Sequence, residues 1–416
     1  MMKTIRKILG TEIRQYTMVI VLAVLIITFN IATKGKVVTP SNFQNLISGN
    51  AYVLVLAIGM VMVIVIGQID LSVGSVAGFS GMVLALAARN LNLPTWIAVF
   101  IGLAVGVLIG VWQGFLLSKF NIPGFITTLG GLMIFRGGVI WISGSISVPV
   151  PEELRYIGAG YLPEWGPTFT GMNNSTLLLG LLAIGAFAWS QVSKRNRLAK
   201  LYGTEEAYWP IVVRIILVGI VIGYLTWLFG SGRTGTSFPV PGLILVVLVI
   251  IYHTITQRTR FGRHIYAVGG NKRSAELSGV NVKRTYFLTM MNMSFLAALA
   301  GIMFVGRSTA AGPSDGTGWE LDAIAAVFIG GAAVSGGVGT VLNTMVGGLI
   351  MAVLNNGLML LGVGADQTQV IKGLVLLAAV VFDVYNKEHG HSSILGRLLP
   401  PKEKEKEQQP TAASGS

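Results

Sequence analysis

Twelve apolar stretches follow one another along most of this chain, separated by short polar or basic segments. They run roughly 15–34, 46–66, 73–88, 95–117, 123–143, 173–192, 210–230, 239–256, 285–306, 320–341, 343–363 and 368–386. A helix needs about 20 apolar residues to cross the hydrocarbon core of a bilayer, and most of these stretches reach that length. The third is short and glycine-rich, and the last three are crowded together. In lipid every backbone polar group must be satisfied internally, so such a chain is predicted to be all-α, a polytopic transmembrane bundle of about twelve spanning or partly spanning helices. Only 11% of its residues are charged. A soluble domain carries about 25%, so lipid has to be part of the solvent. The 54 glycines fit the same picture, because small residues let helix backbones approach where hydrophobicity supplies no driving force.

The net charge of +13 would suit a nucleic-acid binder, but its distribution argues against nucleic acid as a partner. With the N-terminus inside and all twelve stretches spanning, 21 of the 30 Lys and Arg fall inside and six outside. The opposite orientation inverts that ratio, so both termini are predicted to be cytoplasmic. Residues 1–14 form a basic cytoplasmic N-terminus, and the run from Tyr16 to Ala32 reads as an uncleaved first helix rather than a signal peptide. The transmembrane domain is expected over 15–390, with large inside loops at Ser193–Trp209 and 257–284 and the largest outside loop at 144–172. The segment 391–416 ends in Gln, Pro, Ser and Gly and is expected to be a disordered cytoplasmic tail. No Cys is present, and none of His253, His264, His389 and His391 is expected in a long apolar segment, so no metal site or thiol chemistry is predicted.

Three constellations stand out. Gly67-Gln68-Ile69-Asp70-Leu71-Ser72-Val73-Gly74-Ser75 places an acid at the edge of hydrocarbon between two glycines. A charge there is costly, by about 2.5–3.5 kcal/mol at a helix centre. The helix is therefore expected to break, with Asp70 or Ser72 capping the next one. Broken helices at membrane depth are tolerated where they line a cavity, so Gln68, Asp70 and Ser72 are candidate pathway residues. The bland alternative is an ordinary cap.

The second constellation is the inside loop. Gly269-Gly270-Asn271 reads as a turn, Lys272–Ser278 as a short helix, and Gly279 as its C-terminal cap. A loop that only sets topology would account for the charge but not for this order. The third is Leu321 to Thr340, rich in Ala and Gly, where Asp322 enters a small-residue segment. This is a tight packing surface or a pathway wall, and packing alone is the reading the residues by themselves favour. Gly230-Ser231-Gly232-Arg233-Thr234-Gly235-Thr236-Ser237 has P-loop glycine spacing but lacks the Lys and follows no strand. The chain is thus not read as an enzyme, and any ATP that powers it must bind elsewhere.

Taken together, Gly67–Ser75, Phe261-Gly262-Arg263 with Ala267–Asn271, and Leu321–Gly339 resemble the membrane permeases of bacterial ATP-binding-cassette importers for ribose, xylose, galactose and related sugars. Thr128-Leu129-Gly130, Arg136-Gly137 and Lys372-Gly373-Leu374 are secondary matches, and the resemblance covers about 40–390. It implies a multi-pass permease of the bacterial inner membrane that moves a monosaccharide. The implied partners are a second permease subunit, read as a homodimer, a periplasmic sugar-binding protein and a cytoplasmic ATPase holding the ATP and Mg. It assigns ATPase coupling to Gly269, Gly270, Asn271, Ala275, Glu276, Leu277, Ser278 and Gly279, and places Asp70 and Ser72 near the central pathway, for which Gln68 and Asp322 are further candidates by position. Additional length near 150–240 is more like the xylose and multiple-monosaccharide branch, which favours xylose or a related pentose or aldose. The alternative is an ion-driven secondary sugar transporter, which would need a buried relay; Arg136, Asp322, Lys372 and Asp383 are the candidates by position.

Overall fold

The computed structural model describes residues 13–167, 170–202, 208–233 and 235–388. The expected basic start, up to residue 12, and the expected tail lie outside the described residues. The helices are α1 (Ile13–Ala32), α2 (Pro40–Val65), α3 (Val73–Asn90), α4 (Thr95–Lys119), α5 (Gly124–Ser143), the short α6 (Arg155–Ala159), α7 (Asn174–Tyr202), α8 (Trp209–Gly230), α9 (Val240–Arg258), α10 (Arg260–Gly270), α11 (Lys272–Leu277), α12 (Val282–Ser308), α13 (Trp319–Ile329), α14 (Val341–Leu360) and α15 (Ala365–Glu388). Eight of them, α2, α4, α5, α7, α8, α9, α12 and α14, are long and apolar enough to cross a membrane. The architecture is the polytopic helical bundle that the hydropathy pattern predicts.

Burial ranks the helices. Most of the apolar span of α2 (78%), α14 (72%) and α12 (67%) is buried inside the chain. For α7 and α8 the share is 11%. Those two pack on each other and, through α8, on α2, so they form a peripheral hairpin. This hairpin carries most of the additional length near 150–240.

The tightest helix pair is α4 against α12. Gly102, Gly106, Gly110 and Gly114 recur every fourth residue, which places them on one face of α4. A Cβ at Gly110 would stand 2.7 Å from Met291 Cα, and one at Gly114 would stand 2.9 Å from the Phe287 carbonyl oxygen. Glycine is what allows these backbones to meet. On its other sides α12 packs on α2 and α3, with Gly301 laid against the Ala77 carbonyl. At one end of the bundle a two-stranded ribbon, β1 (Val148–Pro149) and β2 (Ala310–Ala311), ties the 144–172 loop to the end of α12. Leu154 and α6 close over the same end, with Gly158 against the backbone of Met303 and Gly306.

Four expectations need correction. The helix expected over 173–192 continues to Tyr202, so Lys194, Arg195, Arg197 and Lys200 belong to α7 rather than to a loop. Their polarity marks where hydrocarbon ends and says nothing about where the helix ends. The stretch 320–341 is a half-helix, α13, followed by a non-helical crossover over 330–340. Gly331, Gly336 and Gly337 there adopt left-handed φ values of +85°, +81° and +74°, which a continuous helix excludes. Gly269 and Gly270 are the last residues of α10 rather than a turn. His253 does lie in an apolar helix, α9, although no cluster of residues suited to a metal occurs among the described residues.

The glycine contacts give a direct test. Gly110→Val is expected to lower the stability of the purified protein by about 1–3 kcal/mol through overpacking against Met291. Gly137→Val, on α5 with nothing within 4 Å of its Cβ position, should leave the thermal midpoint unchanged. Equal midpoints for the two variants would remove the close approach from the account of the fold.

Candidate functional site

The helix α2 stops because Gly67 turns left-handed, with φ +77°. Its N–H returns to the Ile64 carbonyl at 2.9 Å and that of Gln68 to the Val63 carbonyl at 3.0 Å, which closes the helix end. The chain is then non-helical up to Ser72 before α3 begins. Without water, each polar group of this break needs a protein partner. Gln68 Oε1 accepts from the Gly124 N–H at 2.9 Å, at the start of α5. Thr128, one turn further along α5, accepts from the Leu71 N–H at 3.1 Å and donates to the Ile69 carbonyl at 3.3 Å.

Asp70 is fully buried. Its Oδ1 accepts from the Ser72 N–H at 2.8 Å and the Ser72 hydroxyl at 2.7 Å. Ser72 is the residue before α3, but its side chain makes no cap bond to the helix. The carboxylate therefore holds the approach to α3 in a local turn rather than capping α3, which corrects the expectation from sequence. Gln113 of α4 donates to Ser72 Oγ at 2.8 Å, so this hydroxyl ties α4 to the break. Asp70 Oδ2 and Gln113 Oε1 are buried without a hydrogen-bond donor, as is Glu320 Oε2.

Glu320 is the second residue of α13. The loop between α12 and α13 folds back onto α3, with Gly316 against the Gly74 carbonyl and Asp315 against Gly78. Arg136 of α5 clamps this loop, donating to the Asp315 carbonyl at 2.9 Å and to Thr317 Oγ1 at 2.6 Å. Glu320 then lies against Gly74, one turn after Asp70. Asp322 serves elsewhere. It faces α15 and pairs with Lys372 at 2.7 Å and 3.0 Å, both side chains 19% exposed. Gln68, Asp70 and Ser72 thus form one site, and the acid that α13 adds to its surroundings is Glu320. Arg136, Asp322 and Lys372 make these contacts, and the Asp383 side chain lies outside the described residues.

At the same end of the molecule, α10 and α11 form a capped corner. Thr259, Asn271 and Asn281 each accept a backbone N–H three residues on, at 3.2, 2.9 and 2.9 Å, starting α10, α11 and α12 in turn. Gly279, at φ +82°, ends α11 in the left-handed conformation predicted from sequence. Ala275 points inward, packed with Val268 and Val282, whereas Gly270, Asn271, Glu276, Leu277, Ser278 and Gly279 are exposed. Leu277, 79% exposed, is an apolar side chain left uncovered by the described residues. Tyr266 donates to the Gly339 carbonyl at 2.6 Å; burial pushes its phenol above the ordinary value, so it remains a donor at neutral pH. Gln113, Glu320 and Tyr266 were not singled out from sequence. An amide in the middle of an apolar stretch was the one signal that could have marked Gln113.

Residues 42–380 match the family described as branched-chain amino acid transport system / permease component. The chain belongs to this permease family. It is a multi-pass membrane protein. The permease is 36% identical to the xylose transport system permease protein of Haemophilus influenzae over 383 residues, 92% of this chain and 99% of the relative. It is 31% identical to the ribose import permease protein of Escherichia coli, over 83% of this chain and 86% of that one. With the fructose import permease protein of Bifidobacterium longum it shares 30% identity, over 87% and 88% of the two chains. No solved structure matches the permease.

Two outcomes follow from the geometry. Asp70→Ala leaves the Ser72 N–H and hydroxyl without their acceptor, a penalty of about 1–3 kcal/mol each when buried. Asp70→Asn keeps an oxygen at the Oδ1 position. Transport should therefore fall much further in Asp70→Ala than in Asp70→Asn, and wild-type uptake by both would reduce the turn to packing. For the ion pair, Asp322→Ala and Lys372→Ala should each destabilise the protein by up to about 3 kcal/mol by stranding the other charge. The double variant should regain most of that loss in a thermal unfolding assay; additive losses would show that the pair is not coupled.

Proposed function

We propose that the permease is the membrane-spanning subunit of an ATP-driven monosaccharide importer of the bacterial inner membrane, with xylose or a related pentose as its cargo. The observation that carries this reading is near full-length similarity to a xylose permease, with ribose and fructose permeases behind it. The family description names branched-chain amino acids, but these relatives, aligned over most of both chains, are sugar permeases.

The geometry supports the same assignment. The exposed face of α10 and α11, from Gly270 to Gly279 with Leu277 uncovered, suits an ATPase that holds the nucleotide and Mg. The ribbon-tied 144–172 loop at the opposite end suits a periplasmic binding protein. Gln68, Asp70 and Ser72 then lie near the passage that the sugar follows. The mechanism is alternating access: the loaded binding protein docks outside, the ATPase cycle displaces α10 and α11, and sugar is released inward.

The test is reconstitution with the ATPase and the binding protein in proteoliposomes, followed by uptake from a panel of sugars and branched-chain amino acids. ATP-dependent xylose uptake that survives ionophores is the expected result. Uptake by the permease alone under an ion gradient, or of amino acids only, would overturn the reading. The orientation is tested with single cysteines, which this chain accepts against an empty background. A cysteine at Ser274 should be protected from an impermeant reagent in intact cells.

A further inference from the structure

The two breaks in the membrane bundle are not independent. Val65 is the last residue of α2, and in a continuing helix its carbonyl would bond the N–H of residue 69. The break at Gly67 releases that carbonyl, which takes the Gly337 N–H of the crossover instead, at 2.8 Å. The same carbonyl lies so close to Gly269, in the last turn of α10, that any Cβ there would overlap it. Gly337 sits on the next residue of α10: a Cβ on it would stand 2.9 Å from Gly270 Cα. One turn earlier on α10, Tyr266 Oη donates to the Gly339 carbonyl at 2.6 Å. Three segments far apart in sequence, the end of α2, the end of α10 and the crossover 330–340, therefore meet backbone to backbone.

We infer that this junction is a single joint through which α10 moves both breaks together, with Tyr266 as the positioning residue that fastens the crossover to α10. The inference rests on the importer reading and adds the route by which a push on α10 and α11 reaches the membrane. Contact of this kind transmits a displacement because there is no slack in it. No side chain intervenes between Gly269 and the Val65 carbonyl, or between Gly337 and Gly270, and packed backbones rearrange between discrete states rather than deforming. From Val65 the chain leads within five residues to Asp70, and Gly330, at the far end of the crossover, caps the C-terminal end of α13, whose first turn carries Glu320. A joint that moved only one break would separate α13 from α3, where Gly316 and Glu320 lie against Gly74.

Tyr266→Phe removes the hydroxyl and little else. In the full complex with ATPase and binding protein, assembly and ATP hydrolysis should persist while sugar transported per ATP falls about fivefold, equivalent to about 1 kcal/mol for one net hydrogen bond. Gln257→Ala, which removes the other group bonded to that hydroxyl, at 3.2 Å, should leave the ratio unchanged. A role in stability alone would lower assembly and hydrolysis along with uptake and would overturn the inference. A second measurement does not depend on that variant. Single cysteines at Leu71 and Ser335 in the otherwise wild-type complex should change their labelling rates together when ATP is added. A change at one site without the other overturns the joint. A wild-type complex with no ATP-dependent uptake refutes the importer reading itself; a coupled wild type with an equally coupled Tyr266→Phe refutes the joint alone.

Discussion

Backbone polar groups released at a helix break inside a membrane must find partners without water, and most of this structure is arranged around that requirement. At 66–72 the solution draws on three other elements. The start of α5 supplies the Gly124 N–H and the Thr128 hydroxyl, α4 supplies Gln113, and the crossover supplies the Gly337 N–H. Each partner has to be brought within hydrogen-bond distance, which fixes how α4, α5 and the crossover stand relative to α2 and α3. The break is therefore the point on which the packing of its neighbours depends, as well as the site where an acid can exist at depth.

Close approach is what lets those partners arrive. The glycine face of α4 brings that helix against α12, and Gly301 brings α12 against α3. In water, burial of apolar side chains could hold the bundle at a looser spacing; in lipid it cannot, since hydrocarbon solvates Leu as well as another helix does. Dispersion between backbones in contact, with hydrogen bonds at the breaks, does the work instead. The peripheral α7–α8 hairpin shows the contrast. Only 11% of the apolar span of each of its helices is buried inside the chain.

Much of this was readable in advance, and the misses share one cause. Asp70 between Gly67 and Gly74 announced a break because a charge and two flexible residues cannot continue a spanning helix. The Ala- and Gly-rich segment after Leu321 did not announce one, since it is apolar throughout and hydropathy does not register left-handed glycines. The end of α7 was misplaced because polarity reports where lipid stops, and the helix runs past it. Asp322 looked like the counterpart of Asp70 because it is an acid among small residues. In the fold Lys372, 50 residues on, takes it, and Glu320, two residues earlier, turns toward Gly74.

The order of apolar and basic segments by itself determined the membrane class, the helical architecture and the candidate coupling corner, because hydropathy, capping and helix breaking act over a few neighbouring residues. Only the tertiary structure decided which polar groups meet. Ser72 finds Gln113 across 41 residues, Leu71 finds Thr128 across 57, and Tyr266 finds Gly339 across 73. Such pairings are set by which helix faces can approach closely. That depends on the whole bundle at once, so no local pattern encodes it.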